Sequence, residues 1–150
     1  MRTFQATLAA LIVFGAVAPS HAQEVTGTYE AKFEEVANNC STVGLSLTRN
    51  KIRIRKEKKD QIVIDIELVP LMSGSTGKNG SVRATSKVGP TTIEKLDGKF
   101  SVAGQASGST LSLVFVAEYF VKGSALCTQT WNVTGSREAA KPPAAPAGSR

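Results

Sequence analysis

From Val25 to Gly135 apolar residues recur at every second position, in short runs separated by turn-forming residues. A period of two places alternate side chains on opposite faces of an extended chain, so the pattern specifies strands with one buried face. In the first run Val25, Tyr29, Ala31 and Phe33 point one way, while Thr26, Thr28, Glu30 and Lys32 point the other. Val43, Leu45 and Leu47 form a second run, and Arg49-Asn50 suits a tight turn. Ile52 and Ile54 follow, then Ile62, Ile64, Ile66 and Leu68 facing in.

The two isoleucine runs predict a hairpin with a fixed register. If Lys58-Lys59-Asp60 is a three-residue loop, Glu57 lies opposite Gln61. Ile54 then meets Ile64 and Ile52 meets Ile66 on the inner face. On the outer face Arg53 meets Asp65 and Lys51 meets Glu67. Apolar matching and charge pairing agree on one register, and a one-residue slip would spoil both.

Met72 to Gly80 reads as a Gly/Ser loop. Further strands are expected at 81–88, 91–96, 99–106, 110–121 and 125–135, punctuated by Gly89-Pro90, Asp97-Gly98, Ser107-Gly108 and Lys122-Gly123. In the last, Cys127, Trp131 and Val133 share the apolar face. About eight strands with short connections leave no room for crossover helices, so the sheet should be antiparallel. The fold class is all-β: a single up-and-down antiparallel β-barrel, or alternatively a two-sheet β-sandwich. The barrel is preferred because the first and last runs both present an aromatic-bearing apolar face, and pairing them removes both sheet edges.

The ends of the chain differ in kind. Arg2, the uncharged run Leu8 to Ala18 and the small residues Ser20 and Ala22 form the pattern of a cleavable signal peptide over residues 1–22. The apolar run is about half the roughly 20 residues a membrane helix needs. The domain proper should span 23–136. Residues 137–150, rich in Ala and Pro, read as a disordered tail. The expected location is secreted or periplasmic, with no transmembrane segment. The only cysteines, Cys40 and Cys127, both fall in the mature chain, and an even count in an exported protein favours a disulfide.

Loss of residues 1–22 removes His21, the sole histidine. Ser-His-Asp and Cys-His arrangements are thereby excluded, as are the usual zinc ligand sets. No P-loop or dinucleotide-binding glycine motif is present. Of the carboxylates, Glu34 and Glu35 point to opposite faces, and Asp65 and Glu67 are accounted for by Arg53 and Lys51. No enzyme activity, cofactor or metal is expected. The sequons at Asn39, Asn79 and Asn132 matter only in a glycosylating pathway.

Gly27-Thr28-Tyr29, then Cys40, then successive hairpins, then Cys127-x-x-x-Trp131-x-Val133-x-Gly135 resembles the small exported bacterial β-barrels of lipocalin-like (calycin) type. The resemblance covers roughly 25–136 and implies a fold more than a function. Thr26-Gly27-Thr28-Tyr29-Glu30 is also similar to a strand of the biotin-binding avidins, but those pockets use several tryptophans and this chain has one. The exported lysozyme inhibitors share size and a disulfide, but their Tyr-x-Cys signature is absent here.

Two binding modes follow from these residues. The first is a small apolar ligand or envelope component held by Tyr29, Phe33, Phe115, Tyr119 and Trp131, each of which also suits a plain core position. The second is an electrostatic dock for an anionic envelope partner. Its cations are Arg49, Lys51, Arg53, Arg55, Lys56, Lys58 and Lys59, with Glu57 the one acid among them. The same charges would serve a merely solvated hairpin. No aromatic residue interleaves with them to stack bases, which argues against nucleic acid.

Overall fold

The computed structural model describes residues 24–139, so the signal peptide expected over 1–22 and all but the first residues of the tail expected over 137–150 lie outside the described residues. The described residues form nine strands: β1 (Gly27–Asn38), β2 (Arg49–Lys58), β3 (Gln61–Ile66), β4 (Met72–Thr76), β5 (Ser81–Thr85), β6 (Gly89–Pro90), β7 (Asp97–Ser107), β8 (Thr110–Val121) and β9 (Ser124–Arg137). All pairings are antiparallel. They run β5-β4-β3-β2-β1-β9-β8-β7, and a further β5–β7 pairing closes the series into a ring of eight strands. The two-residue β6 attaches to the outset of β7. Ring closure is shared by a barrel and by a sandwich whose two sheets join at both edges, and in either form no long strand is left with a free edge.

The first and last strands do pair, over Tyr29↔Arg137 to Asn38↔Gln129, with a bulge where Val36 is the extra residue. The hairpin register is as expected at Ile52↔Ile66, Arg53↔Asp65 and Ile54↔Ile64. Its tip differs: Lys58 lies opposite Gln61, so Glu57 is a bulged residue and the turn is tighter, with Lys59 at positive φ. The Arg49-Asn50 turn does not exist, because both residues begin β2 and pair with β1.

Other expectations are corrected as well. Residues 43–48 form no strand, although Leu47 is buried. Residues 91–96 form a loop, because Thr91 turns its hydroxyl onto the Leu96 carbonyl (2.9 Å) and accepts from Ile93 N–H (3.1 Å), a local bonding pattern that competes with a ladder. The supposed Gly/Ser loop contains β4, which fills the gap between β3 and β5. A Cβ at Gly74 would lie 1.8 Å from the Arg83 carbonyl oxygen, so this close strand contact needs glycine. Leu68 faces solvent rather than the core, since β3 ends at Ile66 and Leu68 takes a φ of +69°. At the C-terminal boundary β9 includes Arg137, and Glu138 N–H donates to the Thr28 carbonyl (2.8 Å), so the folded unit runs past residue 136.

The interior is a continuous apolar core. Phe115 is its hub: Phe33 meets it edge-on at 6.1 Å, Phe100 stacks at 6.2 Å, and Trp131 lies at 5.3 Å. Such aromatic contacts add roughly 0.5–1.5 kcal/mol each beyond area burial. Cys40 and Cys127 stand at disulfide distance, with Cα atoms 5.1 Å apart, at the ring end where β1 finishes and β9 begins.

Candidate functional site

Three loops meet at the disulfide end. Residues 39–48 leave β1 and cross the end of the ring, 67–71 join β3 to β4, and 86–96 precede β7. Between them lies a depression of about 370 Å³, whose lining includes Leu45, Leu68, Val69, Ile93, Phe100 and Tyr119. The last two are buried core aromatics, 6.2 Å apart edge-to-face, and they form the floor. From Phe100 the stack continues through Phe115 to Trp131, so the single tryptophan sits two rings from the pocket.

One wall depends on a polar residue. Gln129 occupies an inward position of β9 between Cys127 and Trp131 and is 3% exposed. Its Oε1 accepts from Leu45 N–H (2.8 Å) and from the Tyr119 hydroxyl (3.1 Å). Its Nε2 donates to the Leu45 carbonyl (3.1 Å) and to Glu35 Oε2 (3.0 Å). All four hydrogen-bonding positions of the amide are used. The side chain thus acts as a one-residue strand neighbour for Leu45, which explains how 43–48 can be extended without a ladder. Gly44 is required beside it: its φ is +129°, and a Cβ there would meet Gln129 Oε1 at 2.4 Å. Burial pushes the Tyr119 hydroxyl above the ordinary tyrosine value, partly offset by the Leu45 backbone, so it remains a protonated donor at neutral pH.

Of the five aromatics singled out from the sequence, Tyr119 alone lines this depression. Tyr29, Phe33, Phe115 and Trp131 are fully packed within the ring. Tyr29 sits toward the far end, donating to the Val25 carbonyl (2.9 Å) and accepting from Arg137 (2.9 Å), whose guanidinium also lies 5.3 Å from its ring centre. Phe100, Leu96 and the loop residues complete the pocket. Alternation marks Phe100 and Leu45 as inward, but the loops that bring Val69 and Ile93 to them are not periodic.

The basic residues divide into two groups. Arg49, Lys51 and Arg53 line a wide groove of about 1,100 Å³ on the outer face, together with Lys32, Glu30, Asp65 and Glu67. Arg53 pairs with Asp65 at 3.9 Å as expected, an exposed contact worth little. Lys51 does not reach Glu67. It pairs instead with Glu138, whose carboxylate holds its ammonium above the ordinary lysine value. Arg55, Lys56, Lys58 and Lys59 are exposed along and beyond the end of β2, with no ion pair among the described residues. Also among the described residues, no group of three or more His, Cys, Asp or Glu side chains is placed to hold a metal ion. No protein-family model, curated protein or solved structure matches the chain.

Proposed function

We propose that this protein is an exported binder of a small apolar molecule or chain segment, a closed antiparallel sheet of lipocalin-like kind that takes its ligand at the disulfide end. The observation that carries the reading is the depression floored by Phe100 and Tyr119. Its volume of about 370 Å³ falls within the roughly 300–1,000 Å³ typical of small-ligand sites. Its walls are mostly apolar, with the Tyr119 hydroxyl and the Thr91 and Thr92 side chains as the polar groups at hand. Export rests on the segment 1–22 and on the cysteine pair, which suits an oxidising compartment. Among the described residues no helix is long and apolar enough to cross a membrane.

Dodecanoate is a suitable probe. At a free concentration about 100-fold above its dissociation constant it should add roughly 2.7 kcal/mol of stability, a rise of several degrees in Tm that survives high salt. Thr92→Trp, at an exposed lining position, should fill the mouth and remove the shift without unfolding the domain. No shift in the parent protein at any attainable dodecanoate concentration rejects the reading.

A second reading concerns the β2–β3 tip, where four cations have no acidic partner among the described residues. As an anion dock it should retain the protein on a sulfated or phosphorylated matrix and release it steeply with salt, since exposed charges are screened within about 10 Å at 0.1 M. Neutralising Lys56, Lys58 and Lys59 to Gln should abolish that retention. Elution at an unchanged salt concentration would exclude the tip as the dock.

A further inference from the structure

We infer that the pocket end docks on a lipid bilayer and that the chain it takes up comes from that bilayer. This rests on the apolar-ligand reading above. Four large apolar side chains stay in solvent on two of the three loops that bound the mouth: Leu68 is 75% exposed, Leu71 55%, Val88 55% and Ile93 42%. Leu68 and Ile93 line the mouth itself, whereas Leu71 and Val88 lie outside it. The β2–β3 hairpin, by contrast, carries no exposed large apolar residue.

Leu68 is presented in a costly way. Its φ of +69° is left-handed, a region that leucine seldom adopts and that asparagine or glycine would occupy more easily. Strain of this kind persists where the surrounding structure fixes it, and it concentrates at clamps and switch regions. Here it holds the most exposed large apolar side chain outward, beside the opening.

The charges around the rim point to the partner. Lys87 directly precedes Val88. Lys122, on the adjacent β8–β9 turn, follows the exposed Val121. Neither lysine has an ion pair among the described residues, whereas Lys95 is matched by Glu94 at 3.7 Å. Apolar tips flanked by free ammonium groups fit a bilayer interface, where the tips enter the acyl boundary and the lysines stay level with the phosphates. A second copy of the chain is a poorer match. A stable protein interface takes about 20–30 residues a side with complementary shape. This rim offers isolated apolar tips on two loops and the β8–β9 turn, separated by an opening, and a fluid surface accepts discontinuous tips where a rigid one does not. An open mouth facing the acyl layer also gives an insoluble chain a route into the pocket that avoids water.

The test is co-sedimentation of the disulfide-intact protein with vesicles of phosphatidylethanolamine and phosphatidylglycerol, run beside the soluble dodecanoate titration. The parent protein should sediment with vesicles. Leu71→Ser/Val88→Ser should cut binding roughly tenfold or more, since two inserted side chains are lost, while leaving the dodecanoate shift intact. Lys87→Gln/Lys122→Gln should weaken binding to phosphatidylglycerol-rich vesicles selectively. The dock is overturned if the parent stays in the supernatant at all lipid concentrations, or if the Leu71/Val88 variant sediments like the parent. It is also overturned if sedimentation equilibrium finds a dimer that this variant dissolves. Vesicle binding without dodecanoate binding instead sinks the pocket reading, and dodecanoate binding without vesicle binding sinks the dock alone.

Discussion

With Cys40 and Cys127 both replaced by alanine, the urea midpoint of the domain should fall by about 2 M. The bridge spans 87 residues, and a loop of that size restrains the unfolded chain by about 4–5 kcal/mol in the chain-entropy account, to be divided by an m-value of about 1–3 kcal/mol/M. Against a typical total of about 5–15 kcal/mol this is a large fraction. The folded state itself should change little near the bond. Asn39 N–H donates to the Thr128 carbonyl (3.3 Å), Asn39 Oδ1 accepts from Thr128 N–H (2.7 Å), and Asn38 Oδ1 accepts from Cys40 N–H (2.7 Å). The two Asn39–Thr128 contacts keep the end of β1 against β9 without the sulfur link, and the Asn38 contact fixes the local turn. The variant should therefore keep its far-UV spectrum at low temperature and show its deficit only in the unfolding curve. In the parent protein two thiols should become reactive only after reduction. A midpoint within about 0.5 M of the parent would mean that the denatured ensemble is already compact around these residues.

What could be read from the residues follows how many independent cues met at each position. The β2–β3 register was fixed twice, by isoleucines on one face and opposite charges on the other, and it holds from Ile52↔Ile66 to Ile54↔Ile64. The β1–β9 closure was readable for the same reason, because two aromatic-bearing faces at the chain ends had to be buried. Elsewhere a single cue misled. Ser73-Gly74-Ser75 looks like a turn by composition, yet Gly74 serves a close strand contact and the pairing on both sides makes the segment a strand. Thr91 to Leu96 lies between the turn signals Gly89-Pro90 and Asp97-Gly98 and reads as a strand by position, yet the Thr91 hydroxyl folds it back on itself. Composition and turn spacing register neither the close approach of two backbones at Gly74 nor a side chain bonding to backbone at Thr91, and each error turns on one of these. The pocket shares this property. Its floor was legible as inward-facing aromatics, but its walls are loops whose course is set by bonds such as those of Gln129.

Gln129 is itself discoverable by parity, since it falls on the inward row of β9 between Cys127 and Trp131, but a polar side chain adds nothing to an apolar periodicity. Replacing it tests whether the amide holds the pocket wall. In Gln129→Leu the Leu45 N–H and carbonyl and the Tyr119 hydroxyl lose their partners. At about 1–3 kcal/mol for each group left buried and unsatisfied, the loss should reach several kcal/mol, reduced to the extent that water enters the loosened loop. The dodecanoate shift should vanish with it, because Leu45 lines the mouth. Gln129→Glu keeps the two acceptor contacts, forfeits both donors, and sets a second carboxyl against Glu35, whose Oε2 lies 3.0 Å from Nε2 in the parent. Burial and the neighbouring acid raise the introduced group's folded pKa above its unfolded value of about 4.3. The folded state then binds more protons than the unfolded state between those two values. Its stability is accordingly retained below about pH 4.3 and lost as pH rises through the folded value. Relative to the parent, the glutamate variant should be markedly weaker at pH 7 and recover toward pH 4, while the leucine variant should show no such recovery. Urea titrations of all three proteins at both pH values decide the matter. A glutamate variant as stable as the parent at pH 7 would show that the bond the amide donates to the Leu45 carbonyl does not hold the 39–48 segment over the end of the ring.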